Sequence, residues 1–129
     1  MGKKYVLTDE TKNYSDTILH RIQYIVDIPR YDIKAGDLGG WIEKEENLSQ
    51  EDNSVISGDA HVFGNVHVFD IARVSGNAHV CDDVEIFDIA QVYGNACVSG
   101  NAQIYDAAQV YDNAIVGDDA EICDDTEVK

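Results

Sequence analysis

The sequence predicts an all-β protein: a parallel β-helix of triangular cross-section, with 18 residues per coil and about four coils, preceded by an N-terminal β-hairpin cap. Three observations predict it. From Leu48 to Asp125 the chain divides, without insertion, into six-residue blocks such as "AHVFGN", "ARVSGN", "AHVCDD", "AQVYGN", "ACVSGN" and "AEICDD". The closest copies, "FDIARVSGNA" from Phe69, "FDIAQVYGNA" from Phe87 and "YDAAQVYDNA" from Tyr105, are spaced by 18 residues. Ahead of the blocks lies a leader, residues 1–47, that alternates apolar and polar residues and lacks the six-residue rhythm.

Taken in chain order, "KKYVLTD" reads as a strand and "ETKNYSD" as a polar turn. "TILHRIQYIVDI" reads as a second strand with Ile18, Ile22, Tyr24, Val26 and Ile28 on one side. Pro29 ends that strand, and "KAGDLGGWIEKEENLSQ" leads into the first block, its glycines marking a tight backbone path. The first coil of a solenoid exposes an unpaired edge, so residues 1–47 are expected to cap it, leaving 48–129 as the solenoid. At the other end "TEVK" carries no cap signal, which leaves an edge open for pairing or end-to-end association.

Within a block, position 1 is small, usually Ala, and position 3 is nearly always Val or Ile. Small-x-aliphatic is a short strand with positions 1 and 3 facing one way, and the Gly, Asp or Asn pair at positions 5 and 6 is a turn signal. Such a strand cannot bury its Val alone, so successive blocks must stack. A helix would need apolar residues at three and four, not at two and six. The period of three blocks gives each corner its own chemistry. One carries Gly58-Asp59, Gly76-Asn77, Gly94-Asn95 and Asp112-Asn113; the next carries Gly64-Asn65, Asp82-Asp83, Gly100-Asn101 and Asp118-Asp119. The third carries Asp70-Ile71, Asp88-Ile89, Asp106-Ala107 and Asp124-Asp125. Three blocks therefore close one turn of a three-sided prism.

These blocks resemble the hexapeptide-repeat family, in which an aliphatic residue is followed four positions later by a small one, as in Val62 to Val66 and Val74 to Ala78. The resemblance covers about two thirds of the chain and implies a left-handed β-helix, an exception to the usual right-handed crossover. It also implies trimers whose prisms pack along their faces. The strings "KAGDLGGWIE" and "NLSQ" look like the leader of small repeat proteins of phages and prophages.

Composition narrows the function classes. The formal net charge is −16, which repels nucleic acid and anionic membrane and attracts basic partners or cations. Residues 54–129 alone hold 14 acidic and 2 basic residues. "MGKKYVLTDETK" turns polar too early for a signal peptide. Cys81, Cys97 and Cys123 are odd in number and form no tight motif, so they read as free thiols in a reducing compartment, the cytoplasm.

Positions 2 and 4 point outward. Phe69, Phe87 and Tyr105 then stack in one ladder, with Glu51 above and Cys123 below, and Ile71, Ile89 and Ala107 run beside it. Two adjacent apolar columns form a contiguous patch, read as a self-association interface (dimer or trimer) or a protein-binding surface, which Tyr93 and Tyr111 could extend. Asp70, Asp88, Asp106 and Asp124 form an acidic column with like charges roughly 5 Å apart, costly unless turn hydrogen bonds, cations or a basic partner offset it. His79, Cys81 and Cys97 lie near one another on another face and are the candidate metal ligands or nucleophile and base, although their spacing matches no zinc signature.

The hexapeptide-repeat resemblance also implies an alternative, an acyltransferase using acetyl-CoA. Such enzymes rest on a His held on an extruded loop or at a subunit interface. Here no loop interrupts the blocks, His61, His67 and His79 occupy ordinary outward positions, and Arg73 and Lys129 are the prism's only cations. A nucleotide-sequestering oligomer is a second alternative, with Tyr93, Tyr111, Arg73 and Arg21 as its material, and a ligand-free structural module is a third. The reading carried forward is a non-enzymatic acidic solenoid without cofactor, encoded by a phage or prophage. It would bind and inhibit a basic host protein of nucleic-acid metabolism or defence, in the host cytoplasm.

Overall fold

A computed structural model describes residues 2–129. The chain is nearly all β: a hairpin of β1 (Tyr5–Tyr14) and β2 (Thr17–Tyr24), a strand β3 (Leu38–Ile42), and then thirteen two-residue strands, one per block. Two 3-10 turns, Pro29–Tyr31 and Glu45–Asn47, interrupt the leader.

The short strands stack in parallel into three sheets, so that residues 18 apart sit in register. Val62 pairs with Val80, Val68 with Ile86, and Val74 with Val92. The first sheet runs β3, His61–Val62, His79–Val80, Cys97–Val98 and Ile115–Val116; the second begins with a bridge from Leu48 to Val68, and the third begins at Val55–Ile56. Each sheet therefore has five rungs, giving about five turns where the sequence suggested four. The extra turn is built by 38–56: β3 pairs like a repeat strand although residues 38–47 precede the six-residue blocks, which begin at Leu48.

Positions 1 and 3 fill the interior. Ala60, Ala72, Ala78, Ala90, Ala96, Ala102 and Ala108 are fully buried, as are Val62, Val74, Val80, Ile86, Val92, Ile104 and Val110. The small residue beside each corner lets the sheets close around a core one aliphatic side chain wide. Position 5 takes the left-handed conformation at every corner from Gly58 to Asp124, with φ between 55° and 74°. Gly adopts this at no steric cost, and Asp tolerates it better than most side chains. That requirement, together with the inter-rung bonds described below, explains why position 5 is Gly or Asp throughout.

The hairpin differs from its expected form. β1 runs through "ETKNY" to Tyr14, and the turn is only Ser15 and Asp16, both at positive φ, closed by the pair Tyr14 and Thr17. Register shifts between Leu7 and Thr11 and between Arg21 and Gln23 mark bulges. A bulge changes which face a residue occupies. Leu19, Ile22, Tyr24 and Ile28 are buried, whereas Ile18 is 51 % exposed and Val26 is 40 % exposed, so the single apolar side expected for β2 is broken.

β2 pairs antiparallel with β3 and β1 with β2, so the hairpin continues the first sheet and β1 becomes its edge. Tyr5, Ile22 and Tyr24 join one continuous core with Ile56 and the repeat interior. The close approach needs the glycine pair of "LGGWI": a Cβ on Gly39 would lie 2.6 Å from Ile22 and 2.8 Å from the Ile56 carbonyl oxygen.

Candidate functional site

The third corner carries both predicted features, the acidic column and one apolar ladder. Phe69, Phe87 and Tyr105 leave the second sheet at position 4 and stack with ring centroids 5.0 and 5.1 Å apart and planes within 6°. The rings follow the rung spacing, so backbone register alone aligns them. Tyr105 donates from its hydroxyl to Glu121 at 3.0 Å, and the accepting Glu121 raises its phenol pKa, with Cys123 adding to the effect.

Asp70, Asp88, Asp106 and Asp124 form the column between that ladder and the Ile71–Ile89–Ala107 row. The column begins one rung earlier than the sequence reading placed it, at Asp52. The Oδ2 atoms of Asp52, Asp70, Asp88 and Asp106 accept the backbone N–H of Asp70, Asp88, Asp106 and Asp124 at 2.7, 3.2, 3.0 and 3.0 Å. At a corner turn the position-5 N–H points back to the preceding rung, where no carbonyl meets it, and the Asp side chain supplies the missing acceptor. Hydrogen bonds to carboxylates favour the charged form and offset part of the repulsion between neighbours. Gly100, at another corner, is met in the same way by Asp82 at 3.0 Å.

Asp52 is the anchored end of the row. Its carboxylate lies 3.5 Å from the buried Lys4 ammonium and accepts from the Ser54 hydroxyl at 2.5 Å. Burial works to raise its pKa, but the Ser54 donors, the Asp70 N–H and Lys4 together hold it below the usual range. Burial pulls Lys4 the other way, down to about 8, against the attraction of Asp52. Glu51, Asp52, Asn53, Asp70, Ile71, Asp88 and Ile89 line a shallow groove along this corner. Ile89 is 44 % exposed in it. Ile71 is half-buried, and its carbonyl accepts the Tyr31 hydroxyl.

Tyr93 and Tyr111 also stack, 5.2 Å apart. They stand at the far end of the third sheet, bonded to Gln109 and Glu127, and so make a second ladder instead of extending the first.

On the first sheet the outward column runs Trp41, His61, His79, Cys97 and Ile115. The structure does not gather His79, Cys81 and Cys97 into a ligand set. Among the described residues only Asp106, Cys123 and Asp124 place possible ligand atoms within 4.8 Å of one another, and these are exposed or half-exposed on the last turns. His79 instead bonds the Tyr14 hydroxyl through Nδ1 at 2.6 Å. Burial, the Asp82 carboxylate and Cys97 raise the Cys81 thiol, which makes it a poor nucleophile. The residues missed by the sequence reading are Lys12, Tyr14 and Trp41, which meet the histidines only because the hairpin bends over that face. Asp52 was legible, one 18-residue step before Asp70.

Stacked parallel turns of 18 residues with an aliphatic core define a β-solenoid repeat protein. More particularly, the family model of the YdcK β-solenoid repeat matches residues 90–106 and 108–124, two successive turns beside the aromatic and acidic columns. No curated protein matches the chain. No helix is long and apolar enough to cross a membrane among the described residues.

Proposed function

We propose that this solenoid is a non-enzymatic interaction protein whose third corner takes an extended basic segment of a partner protein. The observation that carries it is the groove in which the Ile71–Ile89 floor runs beside the regular Asp52–Asp124 row. An extended chain laid along it would set apolar side chains on the isoleucines and Lys or Arg heads against Asp70, Asp88 and Asp106, which use only Oδ2 in the ladder bonds. Charge of one sign speeds encounter with such a partner and makes binding fall with salt. The Phe69–Phe87–Tyr105 ladder flanks the same corner and serves either as the rim of this surface or as a contact between copies. The leader's likeness to phage and prophage proteins supports a host protein as the target, and inhibition as the consequence of occupying its basic surface.

A synthetic peptide alternating Lys and Leu tests the site. NMR shifts should saturate along Ile71, Asp88, Ile89 and Asp106, and Ile89→Ser with Asp88→Asn should weaken binding at least tenfold. Shifts spread equally over all three corners would mean unspecific charge attraction and would sink the proposal.

A further inference from the structure

The hairpin tip does more than pair at an edge. The paired hairpin runs past the end of β3, where His20 meets Ile42, and lays Lys12 and Tyr14 across the outer face of the first sheet. Lys12 Nζ sits 4.2 Å over the Trp41 ring and 3.2 Å from His61 Nε2. The Tyr14 ring lies 4.8 Å from His61, 5.7 Å from Phe63 and 5.1 Å from His79, between centroids. Beneath this arm His61 is 7 % exposed and Trp41 is 4 % exposed, although both point away from the solenoid core. Two imidazoles, 4.6 Å apart, therefore form the seat of the arm.

The Lys12 contact requires a neutral His61 ring. An ammonium can only donate, so His61 Nε2 must be the acceptor of the Lys12 bond. Protonating His61 would place a cation against Lys12, and protonating His79 would add a second beside it. The other charged groups facing the seat do not compensate. Arg21 from β2 stands 5.2 Å from the Trp41 ring, adding positive charge. Asp59, before the His61 strand, attracts a proton on His61, but it already faces Arg21 at 3.9 Å and is mostly exposed to water. Cys97 stands one rung beyond His79, and Cys81 two residues along the chain from it, both as free cysteines.

We infer that residues 8–19 form an acid-released strap: protonation of His61 and His79 lifts the hairpin tip from the first sheet and uncovers Trp41, His61, Phe63 and His79. The direction of coupling follows from the pKa shifts. Burial, then Lys12 and His79, hold His61 down at about 4, and burial with Lys12 lowers His79 as well. A histidine with a depressed pKa favours the closed strap above its free value near 6.5 and disfavours it as pH falls below that. At pH 5, His61 alone should shift the equilibrium towards the open strap by roughly 30-fold.

Trp41, the only tryptophan, reports the event directly. Its emission should shift to the red between pH 7 and pH 4.5, and amides of residues 8–19 should exchange at least tenfold faster after correction for intrinsic rates. Amides of residues 85–116 should stay protected. His61→Gln, which keeps an acceptor for Lys12 without titrating, should move the transition to lower pH or remove it, and His79→Gln serves if that variant does not fold. The inference is overturned if the wild-type strap stays protected at pH 4.5, if residues 85–116 open together with it, or if a folded His→Gln variant titrates unchanged.

Discussion

Between residues 60 and 128 each turn is held to the next by backbone bonds that recur with the repeat: His61 N–H to Ala78, Phe63 to Val80 and Asn65 to Asp82, then the same set one turn on. The first turn is bonded to the second in the same way, as in Trp41 N–H to Ala60 and Ser49 N–H to Val68, but on its outer side individual side chains take part. The Tyr24 hydroxyl donates to the Ile56 carbonyl at 2.8 Å and accepts the Ile56 N–H at 3.0 Å. The Gln50 amide pairs with the backbone of Lys4 and Tyr5. Buried Asn47 accepts from Glu43 and Lys44 and donates to Gly64 and Val66. The difference shows how a periodic structure is started. A turn in the middle has a neighbour on both sides to satisfy its backbone, while the first turn has none on its outer side, where β2 pairs with β3 and particular side chains bond further backbone groups.

Breaking the periodic half should have the largest effect. Ile86→Ala leaves a hole in a core one side chain wide and should cost about 2–5 kcal/mol in chemical denaturation. Because turns contact only their neighbours, hydrogen exchange should speed up most in the turns on either side of residue 86, with the hairpin less affected. Uniform acceleration over the whole chain would show that leader and repeats unfold as one unit.

A smaller loss is expected in the leader. Tyr24→Phe removes one hydroxyl and leaves both buried backbone groups of Ile56 without a partner, at a cost of about 1–3 kcal/mol. The loss should appear first as faster exchange of β2 and β3. An unchanged β2 would mean that packing of the ring, and not the hydroxyl, joins the two halves.

The smallest effects separate conformation from charge at the acidic corner. Asp106→Ala should cost roughly 1–2 kcal/mol, since Ala fits the left-handed position poorly and the Asp124 N–H loses its acceptor. Asp106→Asn keeps an acceptor oxygen and the tolerance of positive φ, so its melting temperature should stay close to wild type, with any gain largest at low salt. Equal losses in both variants would show that the negative charge itself is needed for folding.

Much of the repeat was legible because its causes are local and recur. Alternation at positions 1 and 3 gave the inward face, the position-5 residues gave the corners, and the 18-residue spacing placed Phe69, Phe87 and Tyr105 in one stack. The hairpin was less legible: its bulges move Leu19 inward and Ile18 outward, and "ETKNY" reads as a turn by composition while pairing as a strand. His79 was seen as a neighbour of Cys81 and Cys97, but its partner is Tyr14, 65 residues away with no periodic relation to it.

The sequence by itself determined the three-sided stack, because strand, corner and period are each written in six residues and confirmed by every later block. Only the tertiary structure decided the fifth turn, the use of Asn47 and Gln50 as backbone substitutes, and the closing of Lys12 and Tyr14 over His61 and His79. Those contacts join segments that share no repeat, and their geometry depends on how the bulged hairpin bends, which no local pattern of residues specifies.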